Sequence, residues 1–117
     1  MSELKKILEN FCKLDGVRAA LLVGSDGVLH ESHEERELDS TRVAALVAAC
    51  SGLGARTADE LGLEVVSQSY IVYDNFNITF EAIADRTLVI VADPGANLGR
   101  IRLEIRKNKK NIEATGE

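Results

Sequence analysis

Tryptophan is absent from the 117-residue sequence and only five residues are aromatic, so the core must be built from aliphatic side chains. Cysteine is also scarce: Cys12 and Cys50 lie far apart and lack a Cys-x-x-Cys spacing, which predicts two buried thiols in a reducing compartment. Long apolar runs are missing, since the longest, Val43 to Cys50, is too short to cross a bilayer. We therefore expect a cytoplasmic protein with no export signal and no membrane insertion.

Positive charge is in deficit, because 14 Lys and Arg stand against 19 Asp and Glu. The net charge of −5 argues against nucleic-acid binding, which depends on cations that neutralise phosphates. A hydrophobic fraction of 45% excludes a disordered chain, so the partners that we expect are proteins. The length favours a single domain over residues 1–117, with a core at about 4–112 and a short polar tail at 113–117.

Apolar residues at three- and four-residue spacing predict a first helix over 3–14. The apolar run 17–23 is typical of a central strand, and the turn at 24–27 leads into a short strand at 28–30. The acidic segment 31–39 has no apolar period and is interpreted as a solvated loop. Asp39 or Ser40 then serves as the N-cap of a long helix over 41–61.

The second half predicts three strands, at 63–73, 76–82 and 87–92, the last of them central, and a final helix over about 98–112. The order is helix, two strands, helix, three strands, helix. Because the links between strands are short, we predict an α/β protein of the α+β type, with a five-stranded antiparallel sheet between helical layers. The lack of strand-helix-strand alternation excludes a Rossmann sheet.

The middle helix carries two different sides. At 100° per residue one arc is apolar and is assigned to the sheet; it contains Val43, Leu46, Val47, Cys50, Leu53 and Leu61. The opposite strip consists of small residues, Ala44, Ala45, Ala48, Gly52 and Ala55, with Arg56, Asp59 and Glu60 nearby. Either these alanines are good helix formers that lie in water, or the strip is the seam of a helix-to-helix dimer, which is the interpretation that we favour.

Motifs for chemistry are weak. Gly52-Leu53-Gly54 begins like a dinucleotide fingerprint, but Thr57 stands at the third glycine position and the segment lies within a helix. No phosphate-binding Gly-x-x-x-x-Gly-Lys-Ser/Thr loop is present. His30 and His33 lie in an acidic segment without further His or Cys ligands, so neither a metal site nor a nucleophile with its base is expected. We predict that the protein is not an enzyme and has no cofactor.

The final helix is rich in cations, with Arg100, Arg102, Arg106, Lys107, Lys109 and Lys110 against Glu104. A solvated face whose cations complement the negative end of the helix explains this pattern. The alternative is contact with an acidic partner or a membrane surface.

Two segments, LDGVRAALLVGSDGVLHES (14–32) and TLVIVADPGANLGRIRLEIRK (87–107), resemble the signature segments of the roadblock/dynein light chain family. The shared features are a Gly-Val before the first strand, a glycine at the hairpin, and an apolar strand that leads through a glycine-containing turn into the last helix. The resemblance covers about residues 4–112 and implies the profilin-like roadblock fold. It also implies homo- or heterodimers in which the middle helices pair and the two sheets join at their edges.

Carried onto this sequence, the resemblance implies a dimer surface at Ala45, Ala48, Gly52 and Ala55 and on the third strand at Val65, Ser67 and Ser69. Arg56, Asp59 and Glu60 are candidate partner contacts. Family members are dynein-associated light chains, scaffolds for small-GTPase control, or bacterial regulators of Ras-like GTPases. The leading hypothesis is a homodimer that regulates a small Ras-like GTPase; the alternatives are a passive scaffold, such as a motor light chain, and a small-molecule sensor with a pocket between sheet and helix.

Overall fold

A computed structural model describes residues 2–35, 38–63 and 68–115. Three helices and five strands follow the predicted order. They are α1 (Glu3–Phe11), β1 (Val17–Gly24), β2 (Leu29–Glu34), α2 (Ser40–Glu60), β3 (Ser69–Val72), β4 (Asn77–Ile83), β5 (Arg86–Ala92) and α3 (Leu98–Ala114).

The strands form one sheet in the order β2-β1-β5-β4-β3, and every neighbouring pair is antiparallel. The predicted hairpins account for three of the four pairings. The fourth joins the two most apolar strands, β1 and β5, with Ala20 opposite Ile90 and Leu22 opposite Leu88. The prediction that both strands are central is confirmed, because each has a neighbour on both sides.

Alternate side chains of the sheet enter two separate cores. Ala20 and Leu22 of β1 point toward the helix pair α1 and α3, whose residues Leu8 and Ile105 are fully buried there. Leu21 of β1 points to the other side, where α2 covers the sheet. Each fully buried Leu or Ile contributes about 1.5–3 kcal/mol relative to an exposed one, so alternation along the strands fixes the register.

Two charged side chains connect elements of this scaffold. Arg18, the one charged residue of β1, donates from Nε to Asp93 Oδ1 at 2.8 Å and makes a second hydrogen bond from its terminal nitrogen to Oδ2. Arg86, buried at the start of β5, donates to the Ile112 carbonyl at 2.7 Å and to Thr115 Oγ1 at 3.2 Å. The Ile112 carbonyl, in the last turn of α3, also accepts hydrogen bonds from the Thr115 N–H at 3.1 Å and the Thr115 hydroxyl at 2.6 Å, so Arg86 connects β5 to the C-terminal end of this helix.

Several predicted boundaries were wrong. Helix α1 ends at Phe11 instead of residue 14, and α3 extends to Ala114, into the expected polar tail. The larger error is the acidic segment, because Leu29–Glu34 is an edge strand that pairs with β1, with Leu21 opposite Ser32. Its polar side chains hide the strand period, yet charge on an edge strand is a common protection against pairing with a further chain.

Candidate interaction surface

Helix α2 is capped at its N-terminus, and its small apolar residues pack against the sheet. The Asp39 carboxylate accepts a hydrogen bond from the Arg42 backbone N–H at 3.0 Å, which confirms Asp39 as the N-cap. Ala44 and Val47 are buried against the sheet, and Ala58 is buried near the C-terminal end of the helix. Val43 and Cys50 are partly buried beside them. The burial of Cys50 is therefore less complete than predicted.

The predicted sheet-facing arc was wrong for its three leucines. Leu46, Leu53 and Leu61 have exposed fractions of 59%, 67% and 68%. The helix is rotated by roughly a quarter turn relative to the orientation predicted at 100° per residue. Large side chains of the sheet, among them Phe80, already fill the space beneath α2, so its small residues pack there and its leucines remain outside.

The predicted strip of small residues is divided by this rotation. Ala45, Gly52 and Ala55 are exposed, whereas Ala44 is fully buried against the sheet, opposite to the prediction. Ala48 is half-buried beside the β1–β2 turn. There Gly27 has a φ of +83°, and a Cβ added to it would lie 3.2 Å from the Ala48 Cβ. Ala48 thus contributes to the fold as well as to the edge of any surface on α2.

We define the α2 surface as the exposed side of this helix; it consists of Ala45, Leu46, Ala49, Gly52, Leu53 and Ala55. Leu46 and Leu53 are seven residues apart, so they lie two turns apart on the same side of the helix. Small residues beside them allow a second backbone to approach closely. A contiguous apolar surface of this kind is typical of a protein-binding site.

Polar residues border the C-terminal end of the α2 surface. The candidate partner contacts Arg56, Asp59 and Glu60 are all exposed. Arg56 Nε lies 3.6 Å from Glu60 Oε1, one helical turn later. This exposed pair contributes little to stability, which leaves both charges available to a partner.

The second part of the predicted dimer surface lies at the end of the sheet. Strand β3 is an edge strand, and Ser69, its first residue, lies opposite Phe80 of β4. Val65 and Ser67 lie outside the described residues. Tyr70 and Val72 project from β3 with exposed fractions of 40% and 64%. Apolar side chains on an edge strand favour pairing with another strand.

A polar cluster at the start of α2 was not predicted. Glu34, at the end of β2, accepts hydrogen bonds from the hydroxyls of Ser32, at 2.7 Å, and of Ser40. Burial alone would raise the pKa of the Glu34 carboxyl, but the Ser40 and Ser32 hydrogen bonds, together with the nearby charges of Lys5 and His33, lower that pKa. The cluster attaches β2 to α2. It was not predicted because residues 31–39 were interpreted as a solvated loop, in which no fixed contacts are expected.

The His, Cys, Asp and Glu side chains are the possible metal ligands within residues 2–35, 38–63 and 68–115. No group of three or more His, Cys, Asp and Glu side chains there is placed to hold a metal ion. His33 lies 3.9 Å from both Glu9 and Glu35, whereas His30 is exposed at the hairpin. Burial raises the pKa of the Cys12 thiol to about 11, helped by the nearby charges of Glu35 and Glu34. Cys12 is therefore the inert, buried thiol that the sequence predicts.

An open cleft of about 530 Å³ lies between the start of α1 and the end of α3. Ser2, Glu3 and Leu4 line one wall, and Asn111, Ala114 and Thr115 line the other. This position differs from the pocket between sheet and helix that a small-molecule sensor was expected to have. Among the described helices, none is long and apolar enough to cross a membrane.

Comparisons with known proteins find a matching family model and relatives of similar length. The family model of the Roadblock/LC7 domain matches residues 3–92. An uncharacterized protein of Methanocaldococcus jannaschii, MJ0714, is 28% identical over 113 residues, which are 97% of this chain and 96% of that protein.

Solved structures agree with the topology. MglB of Myxococcus xanthus superposes with a TM-score of 0.89 at 19% identity, over 98% of this chain and 95% of that chain. A structure described as MglB with tetrameric arrangement gives a TM-score of 0.84 at 21% identity, over 93% of this chain and 84% of that chain. At such identities the likeness establishes the fold alone.

Proposed function

Since the chain belongs to the Roadblock/LC7 domain family, we propose that it is a non-enzymatic homodimer that binds a small Ras-like GTPase and alters its nucleotide cycle. The α2 surface is the dimer interface, and the polar residues at the end of α2 contact the GTPase. The proposal rests on one observation above all, the exposure of Leu46 and Leu53 on a helix whose other side is buried in the core.

A second copy is the occupant that best suits the α2 surface. In a two-fold dimer each patch meets its own equivalent, so one surface suffices if it is self-complementary. Leu46 and Leu53 of one copy would pack beside Ala45 and Gly52 of the other, a large side chain against a small one. The solved MglB described as tetrameric supports self-association within this fold.

The exposed apolar residues of β3 provide the second half of the proposed interface. Pairing of two β3 strands would satisfy unpaired backbone groups at the edge of the sheet and cover Tyr70 and Val72. Helix and edge strand together would bury an extended surface, as a stable homodimer requires. The dimer thus combines both regions that the family resemblance implies.

Regulation of a GTPase requires a difference in affinity between its nucleotide states. Arg56, Asp59 and Glu60 offer both signs of charge at the exposed C-terminal end of α2. The switch segments of a GTPase become ordered or disordered with the bound nucleotide, so contacts to these segments would produce such a difference. A passive scaffold, in contrast, would bind equally in every nucleotide state.

The test is a pull-down with the tagged chain from an extract of the cells that make it, in parallel with excess GDP and with a non-hydrolysable GTP analogue. We expect mass spectrometry to identify a small Ras-like GTPase enriched in one of the two conditions. The matched variants are Arg56→Glu and Lys107→Glu, since each removes an exposed helix cation that pairs with a glutamate on its own helix. Arg56→Glu should abolish the capture and Lys107→Glu should retain it.

Other outcomes distinguish the alternatives. Equal recovery of a large assembly in both conditions would contradict regulation and favour a passive scaffold. A ligand-dependent rise in melting temperature without any protein partner would favour a small-molecule sensor. Light scattering on both variants shows whether a lost capture comes from a lost dimer.

A further inference from the structure

The two helices on the outer side of the sheet carry a charge opposite to that of the rest of the chain. We define the α1–α3 layer by the segments 3–13 and 98–114. It contains nine Lys and Arg against four Glu, a net charge of +5, so the remaining residues carry −10 of the overall −5. The chain is thus strongly polarised, although its net charge suggests only a mildly acidic protein.

Most of these cations point to solvent and are not used by the fold. Arg100, Arg102, Arg106 and Lys110 on α3 are exposed and form no ion pair within the described ranges. Of the other α3 cations, Lys107 lies 3.7 Å from Glu104 and Lys109 lies 3.6 Å from Glu81. Lys6 and Lys13 extend the same exposed cationic surface across α1.

The helix dipole does not explain this pattern, contrary to the interpretation from the sequence. The last turn of α3 contains no basic residue. Arg100 and Arg102 instead lie near the N-terminus of the helix, where the partial charge is positive and a cation is disfavoured. Two arginines near the positive end of the helix, and four α3 cations without an ion pair in the described ranges, indicate an external anionic partner.

One exposed apolar side chain lies within the cationic surface. Leu103 has an exposed fraction of 44%, and its neighbours at i−3, i+3 and i+4 are Arg100, Arg106 and Lys107. Side chains at these spacings are adjacent on a helix. The apolar face of α3 is buried in the core, so Leu103 is the exposed apolar contact that this cationic surface offers to the headgroup region of a membrane.

We propose that the α1–α3 layer binds the surface of an anionic phospholipid bilayer, with α3 parallel to the membrane and Leu103 at the boundary of the acyl chains. The cations from residue 100 to 110 extend over roughly 15 Å along a convex helix and suit a broad anionic surface. Four to eight cations on such a helix are typical of anionic-lipid binding. Since α2 lies on the other side of the sheet, this binding does not depend on the function proposed for the α2 surface.

The experiment is co-sedimentation of the full chain with vesicles made of equal parts phosphatidylglycerol and phosphatidylcholine, and with vesicles of phosphatidylcholine alone. At roughly 0.05 M salt we expect binding to the anionic vesicles only, with loss of that binding at roughly 0.5 M. Arg102→Glu/Arg106→Glu should lower the partition coefficient by at least about tenfold. Arg102→Lys/Arg106→Lys retains the charge and should bind like the parent protein.

Three results would overturn the proposal. One is equal sedimentation with neutral and anionic vesicles, or with neither. Another is full binding by Arg102→Glu/Arg106→Glu, or its loss in Arg102→Lys/Arg106→Lys, with circular dichroism showing that each variant is folded. The third is charge-dependent binding to soluble polyglutamate without binding to anionic vesicles, which would assign the surface to an acidic polypeptide.

Discussion

The side of the sheet covered by α1 and α3 differs from the side covered by α2 in what its helices do with their large apolar residues. On α1 and α3, Leu8, Ile105 and Ile112 are fully buried. On α2, alanines and one valine enter the core and the leucines remain at the surface. A helix with its large residues outside is incompletely covered in a single copy of the chain, so we assign the α1–α3 side to stability and the α2 side to association.

The largest expected effect is on the free energy of unfolding, when one apolar side chain on each side of the sheet is truncated to alanine. Ile105→Ala should lower the free energy of unfolding by about 2–5 kcal/mol because it leaves a cavity in a packed core. Leu53→Ala removes a mostly exposed side chain and should cost less than about 1 kcal/mol in dilute solution. Urea unfolding at several protein concentrations provides the measurement. Equal losses at every concentration would contradict the assignment.

The next largest expected effect is on the rate at which the Cys12 thiol is alkylated. The pKa of Cys12 is raised to about 11 from an ordinary 9.0, so its thiolate fraction near neutral pH is about a hundredfold lower in the folded state. In a Cys50→Ser variant, alkylation of Cys12 should be slower than in urea by at least that factor. In a Cys12→Ser variant, the half-buried Cys50 on α2 should show a smaller ratio. Faster alkylation of Cys12 than of Cys50 in the folded protein would contradict this prediction.

The same thiol makes a prediction about alkaline stability. Because the pKa of Cys12 is higher in the folded protein, its contribution is fully present below about pH 9 and is lost as the pH rises toward about 11. The Cys12→Ala variant should therefore lose less stability over that interval than the parent protein. Melting temperatures across this pH range test it, and parallel curves would show that the raised pKa is absent.

The smallest effect concerns the polar attachment of β2 to α2. The pKa of Glu34 is lowered in the folded state, so its contribution is present above the ordinary carboxyl pKa and is lost as the pH falls through the lower folded value. Glu34→Gln should cost about 1 kcal/mol at neutral pH and less under acid conditions. Glu113→Gln, an exposed change on α3, serves as the control in melting curves between neutral and acid pH. If both variants respond alike, the two serine hydrogen bonds do not stabilise the charged form.

Sequence patterns predicted the elements in which burial is complete. The apolar runs of β1 and β5 identified the two central strands, and the final helix predicted over about 98–112 agrees with α3 at Leu98–Ala114. These patterns succeed because each residue has one environment, the core of its own chain. The order of elements followed directly from them.

Hydrophobic periodicity gave wrong predictions where an apolar residue can pack either in its own core or against another protein chain. Leu46 and Leu53 were assigned to the sheet because the largest residues of an isolated amphipathic helix normally enter the core. The periodicity of one chain does not distinguish its own core from an interface with another copy. The segment that contains Glu31 and Glu34 was wrongly predicted as a loop for a different reason. An edge strand with polar side chains on both faces shows no alternation of apolar and polar residues.

The rotation of α2 also changes which variant is informative. Ala48→Arg would force a long side chain against the β1–β2 turn near Gly27, so it would disturb the fold whether or not the chain dimerises. Leu53 is 67% exposed, so we expect Leu53→Arg to leave the folded chain intact. The second substitution tests association without that ambiguity.

The most direct test of the α2 assignment is the mass of the purified protein by multi-angle light scattering, for the parent chain and for Leu53→Arg over a wide concentration range. We predict twice the 12.7 kDa chain mass for the parent protein and a single-chain mass for Leu53→Arg, with unchanged circular dichroism. A parent protein that stays at 12.7 kDa at every concentration, or a Leu53→Arg variant that remains a dimer, would contradict the account.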